Sequence, residues 1–202
     1  IMEDFTKINQ YINNNQITLA VFMYGAWAIL ISRYTKQCDI SIGTTVSGRK
    51  LLVKNIENIV GLFINTVPLR VVVEENMTVK SFLSEIKNLL SERDRYESTS
   101  ITDIKQYCEC SDELFDSIIV IENYPLDKNR LEKESNFKIT VQDQVVKGEY
   151  NFIVNVSVIE GLCITISYNL NYINPDEVIK ICRDFKYILE MLYQKENISD
   201  IH

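Results

Sequence analysis

The 202-residue sequence predicts an α/β fold, a two-layer sandwich in which helices pack against a mixed sheet. Two patterns carry this reading. Helical periodicities and strand-like alternations follow one another with no fixed repeat period. The last two strand-like runs meet at a tight Glu160-Gly161 turn, which demands an antiparallel pair, whereas a doubly wound parallel sheet needs helical crossovers. Composition agrees: 46% of residues are hydrophobic and 24% charged, with six Gly and three Pro. That excludes collagen-like, low-complexity and wholly disordered chains.

The elements follow in order. Phe5, Ile8, Tyr11 and Ile12 give residues 2 to 14 one apolar helical stripe, which Asn13-Asn14-Asn15 interrupts. Thr18 is placed to cap a second helix running to about Tyr34, apolar on nearly every side and therefore central. Its densest run, Leu19 to Ile31, is too short to cross a bilayer before Arg33. Residues 40 to 47 alternate, with Ile40, Ile42, Thr44 and Val46 on one face, and a second strand is expected from Val67 to Val73. A helix from Val79 to about Asp94 aligns Phe82, Leu83, Ile86, Leu89 and Leu90, and a short helix follows around Ile101, Ile104 and Tyr107. Leu114 to Glu122 reads as a strand, 126 to 136 as a solvated connection, and 137 to 143 as a modest further strand. Tyr150 to Val158 and Leu162 to Leu170 alternate as a hairpin. Asn174-Pro175-Asp176-Glu177 then supplies an N-cap, an N1 proline and a capping-box glutamate. Val178, Ile181, Cys182, Phe185, Ile188, Leu189 and Leu192 trace one face of the last helix.

Charge and residue inventory narrow the function. Twenty-one Lys and Arg stand against 28 Asp and Glu, a net charge of −7 with no basic run, which argues against nucleic acid. Cys38, Cys108, Cys110, Cys163 and Cys182 are odd in number and irregularly spaced, so they are expected as buried, reduced thiols. No spacing suggests a metal site. The start of the chain shows no signal-peptide pattern, and a cytoplasmic protein with no membrane partner is expected. The single histidine, His202, is terminal, so Ser-His-Asp and Cys-His catalysis fail by inventory. The run Gly43 to Gly48 lacks the Gly-Lys-Ser/Thr of a phosphate loop.

Two polar clusters remain. Ser47-Gly48-Arg49-Lys50 leaves the first strand, where Arg49 either holds a turn through a salt bridge or meets a carboxylate or phosphate on a partner. Asn65 and Thr66 interrupt the apolar run Ile59 to Arg70, and their side chains either cap local backbone or face a polar channel.

Residues 17 to 49 (ITLAVFMYGAWAILISRYTKQCDISIGTTVSGR) and 56 to 71 (IENIVGLFINTVPLRV) resemble the C-terminal half of the condensation domain of nonribosomal peptide synthetases. The second segment matches a family motif at Val60, Gly61, Phe63, Ile64, Asn65, Thr66, Pro68, Leu69 and Arg70. Residues 115 to 125 and 149 to 173 are similar to the family's closing strands, so the likeness spans nearly the whole chain. Lys50 stands where a proline is often found, and Tyr96 to Ile101 stands in place of a His/Asn-Gln-Asp-x-Pro-Phe stretch.

The resemblance implies a lobe of the chloramphenicol acetyltransferase type, one arm of a V around a tunnel where an acceptor amine attacks a donor thioester. Residues 1 to 202 would be the C-terminal lobe, cut from a larger domain. The N-terminal lobe, which carries the family's His-His-x-x-x-Asp-Gly, would be its partner, and the chain is expected to be inactive alone. Further partners implied are the donor and acceptor carrier domains and a neighbouring adenylation domain. The phosphopantetheine arms would belong to the carriers, with no cofactor bound here directly. Ser47, Arg49, Asn65, Thr66 and Arg70 would face the tunnel or the other lobe. The competing expectation is a noncatalytic carrier-docking module. A large apolar patch bounded by Arg49, Asn65 and Arg70 would favour the missing lobe, and a polar one autonomy.

Overall fold

The computed structural model describes residues 5–49, 54–122, 150–158 and 161–201. Helix α1 (Phe5–Asn14) buries Ile8 and Ile12. Thr18 Oγ1 then accepts a hydrogen bond from the Val21 N–H at 3.2 Å, and α2 (Leu19–Thr35) begins. Every residue from Val21 to Leu30 is buried, the outcome expected of a helix apolar all round. No described helix is long and apolar enough to cross a membrane.

Strand β1 (Asp39–Val46) pairs antiparallel with β2 (Asn65–Val72), from Asp39 opposite Val72 to Val46 opposite Asn65. Between them, among the described residues, lies a 3₁₀ turn, Ile56–Asn58. Helix α3 (Val79–Arg93) and the short α4 (Ile101–Tyr107) follow, capped by Thr78 and Ser100. β3 (Ser117–Glu122) is parallel to β1 on one side and to β4 (Phe152–Val158) on the other. β5 (Leu162–Tyr168) returns antiparallel to β4. The described sheet is thus mixed, in the order β2-β1-β3-β4-β5. Pro68, which has no N–H to donate, sits on the β2 edge, where a missing donor is tolerated. The strand expected at 137 to 143 and the connection at 126 to 136 lie outside the described residues.

Helices α1, α2, α3 and α5 (Pro175–Leu192) cover one sheet face and share its main core. Trp27 joins three of its components. Its ring stacks on Phe152 of β4 at 5.4 Å, meets Phe185 of α5 edge-on at 5.1 Å, and its indole N–H donates to Ser117 Oγ of β3 at 3.0 Å. Gly25 lets α2 and α3 approach closely, since a Cβ there would stand 2.6 Å from Leu83 Cδ2. On the opposite sheet face Phe115, Ile118 and Ile153 form a smaller cluster, flanked by Ile101 of α4.

The expectation of buried thiols is wrong. Cys38, Cys108, Cys163 and Cys182 are exposed and Cys110 is half-buried, all five as free thiols. Cys163 follows the buried Leu162, and alternation along β5 turns it outward. Cys182 falls beside the buried stripe of α5, which runs through Val178, Phe185, Ile188, Leu189 and Leu192.

Candidate functional site

The C-terminal end of β1 and the start of β2 meet across Val46 and Asn65, so the turn leaving one strand packs against the loop approaching the other. Ser47 is exposed, and its Oγ accepts the Arg49 N–H at 3.3 Å, a local turn bond. Gly48 is buried with φ at 63°, and a Cβ there would collide with the Phe63 carbonyl oxygen. Only glycine enters that conformation without penalty and tolerates so close a backbone approach.

Arg49 works inward. Its Nη1 donates to the carbonyls of Ile56 (2.6 Å) and Ile59 (3.2 Å), and the guanidinium lies 4.5 Å from the centre of the Phe63 ring. The described partners are therefore backbone oxygens and an aromatic face, geometry that a planar guanidinium fits better than an ammonium. Among the described residues these contacts hold the turn through carbonyls.

Asn65 also bonds backbone, one partner local and two distant in sequence. Its Nδ2 donates to the carbonyls of Glu97 (2.9 Å) and Thr99 (2.8 Å), while Oδ1 accepts the Thr66 N–H at 2.9 Å. The amide thus caps backbone. Thr66 is half-buried beside it, and the buried Thr44 Oγ1 donates to the Val67 carbonyl at 2.9 Å. A residue outside the sequence-based candidates completes the frame: Glu97, only 3% exposed, accepts the Gly48 N–H through Oε2 at 3.0 Å. Nothing in local spacing marks it. The one signal was that Tyr96 to Ile101 departs from the resembled pattern.

Between the two anchors runs an apolar loop. Val60 is 99% and Leu62 93% exposed, with Ile59 and Ile64 exposed as well. Arg70 is not part of this boundary. It lies five positions further along the edge strand, exposed, in a bidentate pair with Asp39 (Nε to Oδ1 2.9 Å, Nη2 to Oδ2 2.7 Å). That contact holds the Asp39 carboxyl below its ordinary pKa. Of the sequence-predicted residues, Ser47, Arg49, Asn65 and Thr66 come together, and Arg70 stands apart.

Beside this frame, Val67, Pro68, Arg93, Tyr96, Ile104 and Tyr107 line an open hollow of about 550 Å³. Arg93 pairs with Asp94 at 2.7 Å and lies beside the buried Tyr24, whose hydroxyl is pushed up in pKa chiefly by burial. Among the described residues no three His, Cys, Asp or Glu side chains converge as metal ligands.

Residues 3–199 match the family described as Condensation domain. The chain belongs to the condensation-domain family. It is 29% identical over 191 residues to tyrocidine synthase 2 of Brevibacillus parabrevis, an alignment covering 93% of this chain and 5% of that protein. Against chondramide synthase cmdD of Chondromyces crocatus identity is 38% over 143 residues, 70% of this chain and 4% of that one. The solved condensation domain of the monacolin K polyketide synthase MokA superposes with a TM-score of 0.78 at 15% identity, covering 96% of this chain and 46% of that structure. The chain therefore spans a few per cent of these curated relatives and under half of that condensation domain. The expected α/β fold, a helical layer on a mixed sheet, is the one found, and it is the fold of that condensation-domain structure. Within it the Gly61-x-Phe63-Ile64-Asn65-Thr66 motif is the loop and strand start held by Arg49, Gly48 and Glu97.

Proposed function

We propose that residues 1 to 202 form the C-terminal lobe of a condensation domain that joins carrier-bound donor and acceptor thioesters in nonribosomal peptide synthesis. The acceptor amine attacks the donor carbonyl, a C–N bond forms, the C–S bond breaks, and the carrier thiol leaves. The proton-accepting histidine comes from the His-His-x-x-x-Asp-Gly of an N-terminal lobe, because the sole histidine here is His202. Ser47, Arg49, Asn65 and Thr66 serve by shaping the wall beside that lobe, and Arg70 contributes through its exposed strand edge. The donor and acceptor carrier domains, which bear the phosphopantetheine arms, and an adjacent adenylation domain are its partners.

The observation that carries this reading is the loop Ile59 to Ile64. Val60 and Leu62 stand almost wholly in water. Contiguous exposed apolar residues of this kind mark a surface meant to be covered. A polar surface at this place would have suited the autonomous docking module.

The test begins with the coding sequence on the 5′ side of Ile1. A lobe of roughly 200 to 250 residues, an ordinary size for such a unit, with His-His-x-x-x-Asp-Gly supports the proposal if the reunited protein forms amide product from carrier-bound thioesters. A reunited protein that binds carriers without forming product would transfer the assignment to the docking module.

A further inference from the structure

The exposed loop is held at both ends by one turn, and the turn is held by one buried side chain. Arg49 bonds the carbonyl of Ile59 at the start of the loop and lies over the Phe63 ring near its end. Gly48 packs against the Phe63 carbonyl. What fixes Gly48 is the Glu97 carboxylate, and what fixes Asn65, the first residue of β2, is the Glu97 carbonyl. Glu97 belongs to neither strand. It follows the 3₁₀ turn Asp94–Tyr96 at the end of α3, 49 residues from Gly48 in sequence.

We infer that Glu97 is a positioning residue, setting the height and orientation of the Ile59–Ile64 loop for the surface that covers it. The inference rests on the lobe reading above. A carboxylate with 3% exposure carries a desolvation cost that a loop tether made of apolar contacts would avoid. Its benefit is directional, since a hydrogen bond to a backbone N–H fixes distance and angle where apolar contacts do not. By holding Gly48 and Asn65 through one residue, it keeps the two ends of the loop at fixed separation while the loop itself touches little.

Amide hydrogen exchange and association with the His-His-x-x-x-Asp-Gly lobe, both on the full chain, test this together. In Glu97→Ala the Gly48 amide should exchange roughly tenfold faster, about the effect of losing one hydrogen bond, while the Thr66 amide, bonded to Asn65 Oδ1, should keep its protection because the Glu97 carbonyl remains. Amides in α2 and α5 should keep their protection, and affinity for the partner lobe should fall by a similar factor. Glu97→Gln, which retains an oxygen acceptor of the same reach, should restore both. Glu97→Asp, one methylene short of Gly48, should resemble Ala and serves if the Ala variant does not fold. Unchanged Gly48 exchange in the Ala and Asp variants overturns the inference, as does altered exchange with undiminished lobe affinity. A wild-type chain that ignores the partner lobe while Gly48 exchange still depends on Glu97 overturns the lobe reading and leaves the tether in place.

Discussion

Gly48 concentrates two constraints in one residue. Its φ of 63° penalises any side chain, and its missing Cβ makes room for the Phe63 carbonyl. Gly48→Ala should therefore destabilise the chain by about 1–2 kcal/mol from the backbone alone, with a further cost as the loop is pushed away, read as a lower urea midpoint. The sequence showed Gly48 only as a flexible residue between Ser47 and two cations, and Glu97 not at all, because their bond spans a tertiary gap that no local pattern records. Cys182 shows the converse limit. It shares a helical stripe with Ile181 and Phe185 in sequence, yet the stripe that reaches the core is narrower and the thiol faces out. Partial burial nonetheless raises its pKa, so less of it is thiolate at neutral pH. Peptide mapping after brief alkylation at pH 7.5 should find Cys182 labelled more slowly than an unfolded-chain control, with the difference removed in urea.

Helices were legible because what defines them is local. Thr18 and Asn174 cap within three residues of themselves, and the apolar period is internal to each element. In α5 the Asn174 Oδ1 accepts the Asp176 N–H at 3.0 Å while Glu177 Oε2 accepts the Asn174 N–H at 3.3 Å. Asn174→Ala should cost about 1 kcal/mol, measured by urea unfolding followed through Trp27, the only tryptophan. Strand pairing was legible only where a tight turn enforces it, as between β4 and β5. The parallel contact of β1 with β3 rests on Gly43 opposite Ile118 and Thr44 opposite Ile119, and alternation within either strand says nothing of the partner. On the β2 edge, the Asp39–Arg70 pair ties β1 to β2 across the diagonal of the ladder. Because the folded state lowers the Asp39 pKa, its contribution is complete above the ordinary value of 3.8 and fades as pH falls below it. Asp39→Asn should thus be slightly less stable than wild type at pH 7 and low salt, and the two should converge in melting temperature near pH 2. A difference that persisted there would assign the effect to something other than ionisation.

At the scale of the whole molecule, the fold class and the family were readable because each follows from an extended pattern, whereas the position of the exposed apolar loop was readable only in part. The run from Ile59 to Leu69 looks apolar apart from Asn65 and Thr66, but it divides at that pair. Beyond it Val67, Leu69 and Val71 enter the core, and before it Val60 and Leu62 project into water. Asn65 and Thr66 are where the chain passes from one environment to the other, which is why Asn65 is spent on backbone caps. Replacing both loop residues, Val60→Ser with Leu62→Ser, separates the roles of the two halves. In the chain alone the change should leave the urea midpoint nearly unaltered, within about 0.5 kcal/mol, and should reduce any self-association seen by sedimentation. Burying a Val or Leu side chain contributes about 1.5–3 kcal/mol, so covering the two in an interface is worth at least two orders of magnitude in affinity. The double variant should accordingly lose about a hundredfold or more in binding to the N-terminal lobe proposed above. Amide formation by the separated halves should fall in parallel and recover at high lobe concentration, because the substitution weakens assembly and leaves the reacting groups alone. Undiminished lobe binding would mean that the loop meets solvent, or a carrier domain, in the assembled enzyme.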